Sequence, residues 1–136
     1  MLPVSWARFL GVWVAMAVAM TANGIFRELA LKRIASSRVA DVLSALIGIV
    51  LIASITRVGF RPMGTAATTR SLFVASVMLV VLTVAFECAI GIFVDHKSWT
   101  EFAEHYAIWR GELWPIVLAF VAFTPFLWAR LIPARG

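Results

Sequence analysis

Cysteine is nearly missing from this chain. Cys88 is the only one in 136 residues, which excludes an intrachain disulfide and any CxxC redox site. It stands inside an apolar run and is read there as a small packing residue. Charge is also scarce. Charged residues make up 14% of the chain, where a soluble domain carries about a quarter. Twelve Lys and Arg outweigh seven Asp and Glu, for a net charge of +5. The basic residues are spread over short connections, where they meet anionic lipid headgroups. There is no dense basic patch and no RNA- or DNA-binding motif, so no nucleic-acid partner is expected. Signatures of chemistry are missing too: no G-x-S-x-G, no H-E-x-x-H and no Gly-rich phosphate loop. His96 and His105 do not form the i, i+4 pair of a helical metal site. Neither lies in an apolar run as a haem ligand would. No metal, no cofactor and no catalytic residue is expected.

Apolar residues fill the chain instead. They amount to 62%, and the mean hydropathy is +0.96. That excess is too large for a soluble core of 15.0 kDa, and it predicts a polytopic membrane protein. The expected fold is all-α: one transmembrane domain, residues 1–136, with four membrane-spanning helices at about 4–26, 39–56, 72–93 and 113–132. A short interfacial amphipathic helix is expected at about 99–110, between the third and fourth spans.

The first run competes with a cleaved signal peptide, because Ala17 and Ala19 make an A-x-A pattern. Only Arg8 supplies a positive charge near its start and three further spans follow, so a retained helix is favoured. Gly11, Ala15 and Ala19 recur every four residues, with Asn23 next, a spacing that lets a neighbouring helix approach closely. Residues 23–38 read as a short interfacial helix or a frayed extension, with Asn23-Gly24 as a turn, a helix end or a close contact. In the second run Asp41 lies in the first turn, and Ser44 and Gly48 repeat the small-residue spacing. The connection 57–70 is purely basic and broken by Gly59, Pro62 and Gly64. Ser71 is a candidate N-cap for the third run. Pro125 lies inside the fourth and should kink it, with neighbours satisfying the freed carbonyl.

The segment from Phe86 to Trp114 stands apart. Ser98-Trp99-Thr100-Glu101 fits a capping box. Trp99, Phe102, Tyr106 and Trp109 then fall on one face of a helix of about twelve residues, ending at Gly111. Trp6 and Trp128 are expected as interface anchors at one membrane face, and Trp99, Trp109 and Trp114 at the other. Basic residues divide six against six between the two faces. The acids in 94–112 tip the reading toward cytoplasmic termini.

Four spans bring Asn23, Arg27, Glu28, Asp41, Glu87, His96, His105, Tyr106 and Arg110 to one membrane side. Glu87 is the most informative of these, because a carboxylate in a span faces the bundle and finds a partner. Arg27 is the first expected partner and Arg110 the second. A structural lock between them outweighs a proton- or substrate-coupled role. The candidate polar cluster, for binding or structure, is therefore Asn23, Arg27, Glu28, Glu87, Tyr106 and Arg110.

The residues Asn23, Gly24, Arg27, Glu28, Phe86, Glu87, Gly91, Trp99, Tyr106, Gly111, Leu113 and Trp114 follow the pattern NGxxRE … FExxxG … W … Y … GxLW. This resembles a family of short four-span bacterial inner-membrane proteins. The resemblance covers about a third of the chain and carries no activity, substrate or cofactor. It implies that the two segments belong to one site on one membrane face. Small multidrug transporters are less similar, since their coupling carboxylate lies in the first span. The leading expectation is a non-enzymatic accessory or scaffold protein of the inner membrane, whose partners are the lipid bilayer and a membrane protein or a second copy of itself. Next come a small oligomeric transporter or ion pathway using Glu87, then an enzyme acting on a lipid-linked substrate.

Overall fold

The computed structural model of the chain describes residues 2–62, 67–104 and 106–131. Every regular element among them is helical. Helix α1 (Trp6–Phe26) runs on through a π-helical turn (Arg27–Leu31) and a last turn (Lys32–Ile34). Helix α2 spans Ser37–Phe60, and α3 spans Thr69–Ala89 and ends in a second π-helical turn (Ile90–Val94). A short helix α4 (Trp99–Glu104) and a 3-10 turn (Ile108–Arg110) lead into α5 (Trp114–Leu131). Four of these helical stretches, Trp6–Ile34, Ser37–Phe60, Thr69–Val94 and Trp114–Leu131, are long and apolar enough to cross a bilayer. Large apolar side chains such as Val14, Val18, Leu46, Val50, Phe73 and Val81 point outward along them, as lipid-facing surfaces do. The chain is an all-α four-helix bundle whose four long apolar helices could each cross a membrane.

Local sequence explains the helix starts. Ser5 caps α1 by accepting from the Arg8 N–H at 3.2 Å, and Ser36 caps α2 by accepting from the Val39 N–H at 3.3 Å. Helix α3 starts one turn before the expected cap. Thr68 is its N-cap and Ser71 occupies the third position of a reciprocal box, with Ser71 N–H to Thr68 Oγ1 at 3.1 Å and Thr68 N–H to Ser71 Oγ at 2.9 Å. Pro125 removes the N–H that Val121 C=O would accept. The Thr124 hydroxyl donates to that carbonyl instead, at 2.8 Å. The freed group is thus satisfied from within α5 and not by a neighbouring helix.

Around the bundle α1 packs on α2, α2 on α5, and α5 on α3, while α1 and α3 meet only sparsely. Helix α2 is the spine, and its buried residues step by four: Ala40, Ser44, Gly48, Ile52 and Thr56. A Cβ added at Gly48 would come within 2.9 Å of Met20 Cε, and one at Gly59 would overlap Val12 Cγ2. Gly59 is needed for the close approach of α1, while at Gly48 the flexible end of Met20 would have to move. On α1 the expected small-residue face is wrong. Gly11 and Ala15 are exposed, and the buried residues are Phe9, Val12, Met16 and Asn23. Each step of four advances about 40° around a helix, so Gly11 and Asn23 lie roughly 120° apart and do not share one face.

Three more expectations change. Asn23-Gly24 is no turn; both residues are helical, and the helix continues to Ile34. The twelve-residue interfacial helix is a six-residue one, Trp99–Glu104. Ser98 Oγ still accepts from the Glu101 N–H at 3.2 Å. After Glu104 the chain folds inward at Ala107, which is 3% exposed. The Ile108 N–H then reaches back only to Tyr106 C=O, at 3.0 Å, and Gly111 completes the return with φ 85°. Finally, two expected anchors turn into the bundle. Trp128 donates from Nε1 to Thr56 Oγ1 at 2.8 Å, and Trp114 lines an interior cleft. Trp6, Trp99 and Trp109 remain outside, 57%, 68% and 82% exposed.

Candidate functional site

The end of α1, the start of α2, the end of α3 and the 94–112 connection meet at one end of the bundle. Two bonds fix that meeting. Asn23 Nδ2 donates to Ser44 C=O at 2.9 Å across the α1–α2 contact. An Arg38 Nη1 donor reaches Gly111 C=O across 73 residues of chain. Segments 23–38 and 94–112 therefore share one face. Between them lies a half-open cleft of about 780 Å³. Both π-helical turns border it, Arg27–Leu31 on α1 and Ile90–Val94 on α3. Such turns shift the side chains that follow out of α-helical register and recur at functional sites. The α3 turn stops at His96, which is exposed and holds a left-handed φ of 54°.

Of the predicted cluster, Asn23, Arg27, Glu28, Glu87 and Arg110 all line the cleft, with Asp41. Tyr106 does not; it stands next to the site, against Phe102 at 5.4 Å between ring centroids. Burial pushes its phenol above the usual range. The Trp114 side chain pulls the other way, and Glu87 and Cys88 push with burial. His105 lies outside the described residues, and His96 is not among the lining residues. Arg38, Lys97 and Glu112 also line the cleft and were missed. Each falls in a stretch that the sequence reads as a connection, where a charge is expected to be solvated, although Arg38 lies in the first turn of α2.

The expected ion pairs are redistributed. Arg27 Nε lies 3.4 Å from Glu28 Oε1 and 3.8 Å from Asp41 Oδ1. Glu28 also receives Lys32 Nζ at 2.8 Å. Arg110 Nη1 lies 3.7 Å from Glu104 Oε1. Among the described residues no ion pair reaches Glu87. The physical reason is proximity along the chain and across α1–α2: Arg27 has one carboxylate next to it in sequence and another on the helix it packs against. Glu87 is on α3, which α1 meets only sparsely. It stands seven residues before the end of the third span, a depth of ~10 Å at 1.5 Å per residue.

Below Glu87 the cleft narrows into an apolar crevice of about 20 Å³, walled by Trp13, Met16, Met20, Phe86, Trp114 and Val121. Trp13 and Phe86 close it edge to face, 5.9 Å between centroids. Glu87 thus stands where a charged cleft meets the apolar interior. Among the described residues no three His, Cys, Asp or Glu side chains group as metal ligands would. The arrangement offers a mixed-charge surface with apolar walls and one carboxylate at its inner end. No family model, no curated protein and no solved structure matches the chain.

Proposed function

We propose that this is a small, non-enzymatic accessory protein of the bacterial inner membrane, and that its cleft docks the polar head of a membrane ligand or partner. Both termini face the cytoplasm in this reading, because the 57–70 connection is purely basic while 94–112 carries Asp95, Glu101, Glu104 and Glu112. The resemblance carried by NGIFRE, FECAIG and GELW points the same way. The observation that carries the proposal is the cleft. A volume of about 780 Å³ falls in the range of ligand sites, which combine apolar walls with a few convergent polar groups. Native mass spectrometry of the full chain in mild detergent tests it. The expected result is a retained lipid or protein adduct that Arg38→Ala, at the rim, diminishes. A chain that flies bare from every mild detergent, wild type and variant alike, would sink the proposal.

One observation favours a second reading, a small oligomeric ion or substrate pathway. The cleft reaches a carboxylate inside a span, and such groups mark transport paths. Flux into proteoliposomes that Glu87→Gln abolishes would select it over docking.

A further inference from the structure

We propose that the cleft receives the primary ammonium group of an amphipathic amine, held by Glu87 and Asn23, with the amine's apolar part against Met20, Phe86 and Trp114. This rests on the reading of the cleft as a docking site and adds the chemistry of the head that docks.

The polar groups of the cleft are unequally used. Arg27 is paired with Glu28 and Asp41, although its Nε makes no hydrogen bond; Arg110 is paired with Glu104, Arg38 is held by a backbone carbonyl, and Lys97 lines the cleft with no ion pair among the described residues. Two acceptors keep open capacity. Glu87 has no ion pair among the described residues. Asn23 is 6% exposed, and its Oδ1 is buried without a hydrogen-bond partner. The orientation of that amide is fixed by its neighbour: Nδ2 donates to Ser44 C=O, and the flipped amide would set two oxygens face to face. Neither Lys97 nor Arg27 Nε bonds to these two acceptors, so the inner cleft has room for a further donor. No cation lies within ion-pair distance of Glu87 among the described residues, and Lys97 acts on it only from farther away. Water would satisfy Asn23 but would bring Glu87 no positive charge beyond that of the more distant Lys97. A primary ammonium supplies both, with three N–H donors and one positive charge.

The walls agree with that head. Phe86 and Trp114 border both the cleft and the crevice beside Glu87, and aromatic faces attract cations. The crevice itself, at about 20 Å³, has room for about one water. The head therefore stops at Glu87, and the apolar part lies along the cleft wall. A route exists from the side. Helices α1 and α3 meet sparsely, and Thr21, Ile25 and Ile90 on their edges are exposed and line the cleft. An amphipathic molecule can enter between them without leaving the bilayer. The same head is carried by aminophospholipids and by free alkylamines.

The test titrates the full chain in phosphatidylcholine nanodiscs with decylammonium, decyltrimethylammonium and decyl sulfate. Binding is read by tryptophan fluorescence with empty discs subtracted. Decylammonium should bind saturably and more tightly than its trimethyl analogue, which has no N–H. Glu87→Gln should weaken it about tenfold or more, and Asn23→Ala should erase the preference for the primary amine. If Glu87→Gln does not fold, the preference and its loss in Asn23→Ala decide the matter. Decyl sulfate binding without decylammonium binding overturns the ammonium assignment and leaves the docking site standing. No binding by any of the three overturns both. Discs containing phosphatidylethanolamine identify the source: weaker apparent decylammonium binding there marks the lipid head as the native occupant, and unchanged binding marks a free amine.

Discussion

The two ends of the bundle are made of the same helices and behave as different materials. At the end where α2 finishes and α5 finishes, most buried polar groups are hydrogen-bonded. The Thr56 hydroxyl donates to Ile52 C=O at 2.6 Å and accepts from Trp128 at 2.8 Å. Thr124 closes the carbonyl freed by Pro125. Phe9, Phe60, Leu72 and Ala75 pack there with little or no exposure, and Leu2 joins them. At the other end Asn23 Oδ1 and Glu87 retain open capacity, both π-helical turns occur, and about 780 Å³ is left unfilled. The first end is a packed interior in which Thr56, Thr124 and Trp128 are hydrogen-bonded and Ser76 Oγ alone among its buried hydroxyls lacks a partner among the described residues. The second is a surface folded inward, where completing the bonds is left to whatever enters. Stability therefore belongs to the first end and recognition to the second.

Substitutions can break or sharpen that division. The largest effect is expected at Gly59, where a larger side chain must displace Val12 on α1. Gly59→Leu should cost about 3 kcal/mol, at the upper end for overpacking. In detergent melts this should appear as a strongly lowered Tm or as loss of monodisperse protein. Thr56→Val comes next. It keeps the volume but leaves the Trp128 N–H without its acceptor, at about 1 kcal/mol; an unchanged melt would show that this end is not held by that bond. Glu87→Gln should have the smallest effect. With no ion pair to lose among the described residues, it should leave the melt unchanged or slightly raised, since a half-buried charge is exchanged for a neutral amide. A clear loss of Tm there would restore the structural lock once expected between Glu87 and Arg27 and erase the contrast between the two ends.

Much of the architecture is legible along the chain, because crossing a bilayer is a one-dimensional requirement. Length and hydropathy alone locate the spans, and serines and threonines before apolar runs locate their starts within a turn. The site was legible in its members more than in its wiring. Asn23, Arg27, Glu28, Glu87 and Arg110 do converge on one cleft, since alternating spans leave their segments on one side. Arg38, Lys97 and Glu112 were hidden because a charge in a connection has no periodicity to betray its direction. The partner of Arg27 was misjudged because ion pairing depends on which helices touch. Asp41 is on the helix that packs against α1, and Glu87 is on the one that barely does.

By itself, then, the sequence determined that this protein is an all-α, four-span membrane bundle with a polar cluster on one face. Hydropathy summed over some twenty residues needs no knowledge of neighbours. Only the tertiary structure decided how each helix is rotated. It turned Gly11 and Ala15 outward and Gly48 inward, set Trp114 against the cleft and Trp128 on Thr56, ended the surface helix at Glu104, and left Glu87 at the inner end of the cleft without a salt bridge among the described residues. Rotation is set by the best joint packing of several helices. A residue's own neighbours in the chain carry no record of which side that packing will choose.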